Sequence, residues 1–350
     1  MTSLFLLGCL TTLAMQTADP ETPPAVAASA PAPPRKPAVE VAGYLQVFYK
    51  TRVEENGDGQ TEPGVFRVLR ARFELRGWIT PRISYKLQVD PRAPLVTGLM
   101  RDAYISLEYI PHHKLRLGQQ KTQFGYENNE SSTRLYVVNR ASVSDNLARG
   151  ITLRDLGIGL IGHLPLGHGF RIEDALTMVN GAGMNVQLDD TPRKNLWGRL
   201  GARYQNKQES LRVRLGFSGA IGNQLEPAGR GNPPTPPYVF DFRRAGADLE
   251  IDHRWAFLAA EYVVGTNRSV AVPEANADSG GYYAMLVGKL PWKLGPVARF
   301  DVFDDFRRWT AGAFYGLPGD TVRVLFNYEF WSDEAGRHDD KLYLWTQVVF

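Results

Sequence analysis

The feature that most constrains the fold of this chain is a strict alternation of apolar and charged side chains in residues 66–79, which read FRVLRARFELRGWI. Successive side chains of a β-strand point to opposite faces, so this segment has one apolar and one charged face. The apolar face carries Leu69, Ala71, Phe73, Leu75 and Gly77, and the charged face carries Arg70, Arg72, Glu74 and Arg76. A soluble sheet with arginines in water and a membrane barrel with arginines in a wet lumen both accommodate this pattern.

The same alternation recurs from residue 41 to the C-terminus in about sixteen segments, each near ten residues long. Short connections rich in Pro, Gly and Asn, such as residues 80–82 and 291–295, alternate with mostly longer polar loops, such as residues 126–153. An up-and-down membrane barrel has short turns at one end, longer loops at the other and an even number of strands. We therefore predict an all-β fold, a transmembrane antiparallel up-and-down β-barrel of about 16 strands.

The composition agrees with this fold and excludes several classes of protein. The chain is 43% hydrophobic and 22% charged and has no apolar run of about 18 residues, so we expect no transmembrane helix. Its 15 Tyr, 17 Phe and 7 Trp suit a barrel with aromatic girdles. The net charge of +3, without a basic block, argues against nucleic acid as a partner.

Three regions follow from the sequence. Residues 1–16 form a signal-like segment that lacks the usual positive start, and its Cys9 lies in a sequence that also resembles a lipidation box. Residues 17–40 are a linker rich in Pro and Ala, and residues 41–350 are the barrel.

The sequence gives no reason to expect a cofactor, a metal site or catalysis. Residues 54–59 (EENGDG) lack the remaining ligands of a calcium loop, and His112 and His113 lie in a predicted turn without further ligands. Ser106, Ser142 and Ser218 have no evident histidine partner, so we predict that the protein is not an enzyme.

The last strand ends in an aromatic residue. Phe350 shares a face with Leu342, Leu344 and Val348. A terminal aromatic on an alternating strand resembles the signal by which outer-membrane barrels are recognised for assembly, so we expect the barrel-assembly machinery to be a partner.

Residues 115–126, LRLGQQKTQFGY, resemble the phosphate-selective porin O/P family. The similarity continues through residues 131–134, Asn139-Arg140, residues 155–157, residues 180–185 and residues 197–200. This resemblance implies a 16-stranded, trimeric barrel in the bacterial outer membrane, whose third loop folds inward and whose Arg and Lys side chains lead anions to a constriction. It also implies that Lys121, Arg134 and Arg140 belong to that constriction, with Arg149 nearby.

The alternating strands add a ladder of cations to this site. Arg70, Arg72 and Arg76 are spaced so that neighbours two residues apart lie about 7 Å from each other on one wall, and Lys50 and Arg52 extend the row on the preceding strand. Guanidinium forks match phosphate oxygens and stay charged at any working pH. The alternative is a generic wet lumen in which arginines pair with acids such as Glu74.

Inward acids are predicted on strands ten to thirteen, at Asp248, Glu250, Asp252, Glu261 and Asp301, facing a basic wall on strands one, two, eight and nine. The expected function is passive diffusion of small anions, phosphate or polyphosphate among them, through an Arg- and Lys-lined lumen. A weakly selective pore with opposed basic and acidic walls is the alternative, and a barrel enzyme or a plugged structural barrel are further ones.

Overall fold

A computed structural model describes residues 38–53, 64–93, 98–149, 152–186, 188–189, 191, 193–226, 237–336 and 338–350. The signal-like segment, most of the linker and residues 54–59 lie outside these described residues. The described part contains sixteen strands: β1 Ala38–Arg52, β2 Val65–Thr80, β3 Ile83–Val89, β4 Met100–Leu107, β5 His113–Lys121, β6 Arg154–Gly167, β7 Phe170–Val179, β8 Asn195–Gln205, β9 Leu211–Glu226, β10 Tyr238–His253, β11 Ala256–Arg268, β12 Ala277–Gly288, β13 Leu294–Phe303, β14 Phe306–Tyr315, β15 Val322–Ser332 and β16 His338–Val349. Two short helices, α1 Ser142–Asn146 and the 3-10 turn Pro273–Ala275, complete the regular structure. None of the helices in the described residues is long and apolar enough to cross a membrane.

The sixteen strands form one closed antiparallel barrel in which each strand pairs with its neighbours in sequence and β16 pairs with β1. The predicted fold class and strand number are therefore confirmed. β1 begins at Ala38, three residues earlier than the sequence suggests, because residues 38–40 continue the ladder opposite Trp78, Gly77 and Arg76. An ion pair of 2.9 Å between Glu40 and Arg76 accompanies this extension.

The two ends of the barrel differ as predicted. Tight connections join β2 to β3, β6 to β7 and β10 to β11 at one end, which we call the turn end. Most connections at the other end, the loop end, are longer, although only two residues join β13 to β14 there. The longest described connection links β5 to β6. β9 and β10 are the longest neighbouring pair of the described strands, because residues 218–226 continue the pairing with residues 238–246 toward the loop end.

Apolar side chains on alternate positions face outward around the barrel. Phe73, Leu200 and Phe217 are examples, with 48%, 57% and 60% of their surface exposed. The positions between these outward residues point into the barrel, where side chains such as Gln46 and Arg323 are completely buried. This arrangement is the one required in a lipid bilayer, where a closed sheet satisfies every backbone hydrogen bond between strands.

A β-bulge in β2 changes the orientation predicted for one residue of the opening segment. The register with β1 shifts between Gln46, which faces Arg70, and Val47, which faces Val68. Leu69 is the extra residue, and it lines the lumen beside Arg70 instead of facing outward. Val68 and Phe66 then take the outward positions, at 42% and 78% exposure.

The connection between β5 and β6, residues 122–153, is the third loop at the loop end, and we call it L3. It folds into the barrel, as predicted, and its residues Phe124, Val137, Ala141 and Val143 are at most 1% exposed. They pack on inward apolar side chains of the β7–β16 wall in one hydrophobic cluster. L3 therefore fills one half of the lumen with an apolar core.

The seam between β16 and β1 is closed by the C-terminal residue. Phe350 and Gly43 exchange two backbone hydrogen bonds of 2.8 and 2.9 Å. The Phe350 ring lies over Gly43, where an added Cβ would come within 2.6 Å of it, and it packs edge-on against Phe73. Glycine is thus required at position 43 for the close approach of the terminal ring.

Candidate functional site: a cationic lumen cavity

The half of the lumen that L3 leaves open is a cavity of about 840 Å³ along the β2–β6 wall. It extends from Arg92, Arg149 and Thr152 near the loop end to Arg76 and Val349 near the turn end. L3 forms its opposite side. The cavity therefore passes through the level at which L3 narrows the barrel.

Cations dominate the lining of this cavity. Among the described residues, the lining contains only three carboxylates, those of Glu74, Asp102 and Asp145. The eleven cations are Arg70, Arg72, Arg76, Lys86, Arg92, Arg101, Arg116, Lys121, Arg140, Arg149 and Arg154. Strand alternation delivers most of them, because every second residue of neighbouring strands points to the same side of the wall.

One buried carboxylate, that of Asp90, lies close to three of these cations. Asp90 is completely buried, and its oxygens lie 3.4 Å from Arg72 Nε, 3.5 Å from Arg101 Nη2 and 3.9 Å from Arg92 Nε. One carboxylate holding three guanidiniums leaves a net positive charge and fixes the orientation of their forks.

A second acid organises the wall nearer L3. Asp102 receives a hydrogen bond of 2.7 Å from Arg154 Nε and lies 3.4 Å from Lys86 Nζ. Lys86 also lies 2.9 Å from Glu74. Glu74 also lies 3.5 Å from Arg76 Nη1, which is the Arg–Glu pairing that the sequence allowed as an alternative. These ion pairs involve only part of the cationic set.

Besides Lys121, which is described below, three cavity cations have no carboxylate within 4 Å among the described residues. Arg70 donates to the amide oxygen of Gln46 at 2.8 Å, and the Arg116 guanidinium lies 4.8 Å from the centre of the Tyr104 ring. Arg140 donates to the carbonyls of Glu127 and Glu130 in L3. Their positive charge is therefore not neutralised locally.

Lys121 lines the cavity and also holds L3 in place. Its ammonium donates to three consecutive carbonyls, those of Asn128, Asn129 and Glu130, at 2.8, 3.3 and 2.8 Å. All three of its N–H donors are engaged by the loop backbone. The residue supplies charge to the cavity while acting as a clamp on L3.

The predicted site residues are thus divided by the structure. Five of the eight line the cavity: Arg70, Arg72, Arg76, Lys121 and Arg140. Lys50 and Arg52 lie further toward the loop end, where Arg52 donates to Asp339 of β16 at 2.9 Å. Arg134 pairs with Glu130 at 2.9 Å and lines a separate recess of about 150 Å³ with Arg212 and Lys289.

Five cations of the cavity were not among the predicted site residues: Lys86, Arg92, Arg101, Arg116 and Arg154. Lys86 and Arg116 occupy the polar positions of alternating strands, so the same signal that selected Arg72 applies to them. The inward orientation of Arg101 could not be predicted from the alternation, because the register between β3 and β4 shifts beside it. Leu87 pairs with Ala103 but Val89 pairs with Met100. An irregularity of this kind breaks the two-residue period on which sequence assignment depends.

The opposed basic and acidic walls expected from the sequence are not present. The acids of β10 pair with the arginines of β8 and β9, because those strands are its close neighbours in the barrel. Arg199 pairs with Asp248, and both Arg212 and Arg214 pair with Glu250, at 2.8 and 3.1 Å. This side of the lumen is charge-balanced, and only the β2–β6 side is strongly basic.

Buried polar contacts fix L3 to strands β1, β13 and β15. Ser132 Oγ lies 2.7 Å from the Tyr44 hydroxyl, the Val138 amide donates to Asn327 at 2.9 Å, and Ser142 donates to Asp301. Burial raises the pKa of the Tyr126 and Tyr136 hydroxyls well above its usual range, so these loop tyrosines stay neutral.

Known proteins with this architecture are outer-membrane proteins. OmpT of Vibrio cholerae, in its trimer form, superposes with a TM-score of 0.58 at 11% identity, covering 90% of this chain and 100% of that chain. The channel DcaP of Acinetobacter baumannii gives a TM-score of 0.58 at 10% identity, covering 90% and 97%. OprB of Pseudomonas putida gives 0.54 at 11% identity, covering 89% and 94%. These low identities carry the fold alone.

No match to the chain was found among curated protein sequences. The family model of phosphate-selective porin O and P matches residues 39–293, which is most of the barrel. Together with the closed sixteen-stranded fold and its apolar outer face, this match makes the protein a multi-pass β-barrel of the outer membrane and a channel. The chain belongs to the phosphate-selective porin O and P family.

Proposed function

We propose that the protein is a porin through which small anions, with phosphate or polyphosphate preferred, diffuse passively across the outer membrane. The observation that carries this proposal is the lining of the main cavity, with eleven cations and three carboxylates. An anion that loses part of its hydration shell in a narrow passage needs compensating donors, and guanidinium groups provide them in a planar fork.

The cations without a carboxylate partner are the best candidates for direct contact with the anion. Arg70, Arg116 and Arg140 keep donors that no acid of the described residues occupies. Several such groups in one passage favour transfer from one site to the next over tight retention at a single site, which conduction requires.

The recess beyond L3 supports release at the turn end. A smaller cavity of about 280 Å³ shares Gln123, Asn129 and Ile161 with the main cavity. Its charges are mixed, with Arg171, Arg199 and Arg214 beside Glu130, Glu173 and Asp174. An anion that leaves the cationic cavity therefore meets weaker attraction and diffuses away.

We also propose that the protein assembles as a homotrimer, since OmpT of Vibrio cholerae, which shares its fold, was solved in a trimer form. Phe350 is 60% exposed at the seam, which suits recognition by the barrel-assembly machinery.

No catalytic group is part of the proposal. Ser142 donates to Asp301 at 2.9 Å, and Ser218 accepts the Gly125 amide at 2.9 Å, so both serines have structural partners.

Phosphate block of chloride current tests the proposal. In planar bilayers the purified porin should carry a KCl current that added phosphate reduces. Arg70→Gln should raise the phosphate concentration for half block about tenfold, because a hydrogen bond to a charged group contributes about 1.5 kcal/mol or more.

Arg134→Gln is the matched control, because Arg134 lies outside the main cavity, and it should leave the block nearly unchanged. A channel whose current phosphate does not reduce, or an Arg134→Gln effect as large as that of Arg70→Gln, would contradict the proposed path.

A further inference from the structure

One loop at the loop end contacts the channel lining without forming part of the cavity. This loop, residues 180–194 between β7 and β8, we call L4. Its first turn is buried: Ala182 is 7% exposed and Met184 is 9% exposed. An outer loop that buries its own first turn must have specific partners on the barrel rim.

The main partner is Asp155 near the start of β6, which is 5% exposed. One carboxylate oxygen accepts the Leu156 amide at 2.7 Å, and the other accepts the amides of Gly181 and Gly183 at 2.8 and 3.2 Å. Both glycines have positive φ, 103° and 86°, which turns their N–H groups toward the same oxygen.

Two further contacts hold the turn against the ends of β5 and L3. The Met184 amide donates to Thr152 Oγ1 at 2.8 Å, and the Asn185 amide donates to Gln119 Oε1 at 2.6 Å. Gln119 in turn donates to the Met100 and Arg101 carbonyls at 2.9 and 2.8 Å. These contacts, with that of Asp155, form a unit that we call the L4 clasp.

The L4 clasp also contacts Arg101, one of the cations that line the channel. Arg101 Nη1 lies 3.6 Å from Met184 Sδ, and its Nη2 lies 3.5 Å from Asp90. Arg101 and Thr152 both line the main cavity. The Arg101 fork is therefore held between an acid of the wall and a side chain of L4.

We propose that Asp155 is a positioning residue for selectivity: by holding the first turn of L4, it sets Met184 against Arg101 and so keeps that guanidinium directed into the anion path. This inference rests on the proposed anion conduction for its functional readout. Without the clasp, Arg101 gains rotamers in which its charge lies further from the path.

The test is a double-mutant cycle in the full-length porin. Asp155→Asn should lower the chloride-to-potassium permeability ratio about twofold, the change expected when a unit charge moves from about 4 to about 8 Å from an ion in a water-like dielectric. Arg101→Gln should lower the ratio at least as much. In the Arg101→Gln background, Asp155→Asn should cause no further change.

Asp189→Asn is the control, because it removes a carboxylate of the same loop that bonds to Thr191 and Lys194 and to none of the described residues of the clasp. It should leave the ratio unchanged. Heat-modifiable migration in gels establishes that each variant is a folded barrel. An unchanged ratio in folded Asp155→Asn, or an Asp155 effect that persists in full without Arg101, overturns the proposal.

A readout independent of selectivity separates this inference from the proposed function. Trypsin should cleave after the exposed residues Arg193 and Lys194 several times faster in Asp155→Asn than in wild type, because the loop is released. If wild type shows no anion preference while this cleavage still accelerates, the proposed function fails and the clasp stands. If cleavage is unchanged, the clasp fails.

Discussion

In the proposed anion path, the carboxylates within reach of an arginine decide whether it acts as an anion ligand or as a structural cation. Arg212 and Arg214 are bound to Glu250, whereas Arg70 and Arg116 have no acid partner among the described residues. A guanidinium paired with a carboxylate contributes little net charge to a passing ion. We therefore propose that the anion selectivity depends on how the arginines are paired and not on their number.

A substitution of Asp90 tests whether pairing with a carboxylate weakens the binding of anions to an arginine. Asp90 competes with the permeating anion for Arg72 and Arg101, so Asp90→Asn should free both forks and deepen the anion site. We expect the phosphate concentration for half block to fall about threefold, since a unit charge about 7 Å away in a water-like dielectric changes the binding energy by about 0.6 kcal/mol.

The control for Asp90 is Asp320→Asn, since Asp320 pairs with Lys293 in a turn-end connection outside the cavity. Phosphate block in the control should match that of wild type. A weaker block in Asp90→Asn would mean that the orientation Asp90 imposes matters more than its charge.

Lys121 gives a second test at this scale. Lys121→Met keeps the length of the side chain and removes the three donors to L3. Because a hydrogen bond from a charged group contributes about 1.5–3 kcal/mol, we expect brief closures and larger open-state noise in single-channel records. Lys121→Arg, which retains charge and donors, should remain quieter, and a Lys121→Met record as quiet as that of wild type would exclude the clamp.

At the scale of elements, the sequence predicted what obeys a two-residue period and missed what breaks it. All sixteen strands and the outward face of β16 followed from alternation, and the inward fold of L3 followed from the family resemblance, with which the length of the loop agrees. Leu69 and Arg101 did not, because register shifts beside them turn one extra side chain toward the lumen. Which acid pairs with which arginine also depends on the register of neighbouring strands, and alternation within one strand carries no such information.

L3 is the element that narrows the pore, and it is held mainly by apolar packing. Phe124 is completely buried, and its ring meets Trp197 edge-on at 5.8 Å. Phe124→Ala should weaken the docking of L3 by about 3–5 kcal/mol and raise single-channel conductance, while the barrel still migrates as a folded species in gels.

Phe217→Ala provides the matched comparison for Phe124, because Phe217 faces outward with 60% of its surface exposed. Its conductance should equal that of wild type. Equal conductance in Phe124→Ala would show that polar contacts alone, such as Val138 with Asn327, suffice to fix the loop.

Taken as a whole, the molecule is a barrel whose interior is divided unequally. One part is an apolar core formed by L3 and the β7–β16 wall, and the other is a cationic passage along β2–β6. The charge-balanced region between β8 and β10 borders the smaller recesses near the turn end. This division concentrates positive potential along one path, where low-dielectric walls strengthen it.

The most direct measurement of this account is the zero-current potential of the wild-type porin in a planar bilayer with a KCl gradient. If the cationic passage selects anions, the zero-current potential should have the sign expected for a channel more permeable to chloride than to potassium. The magnitude of this potential should decrease as the total ionic strength rises, because salt screens the positive charges that line the passage. A potential near zero, or one of the sign set by potassium, would contradict the claim that the passage selects anions.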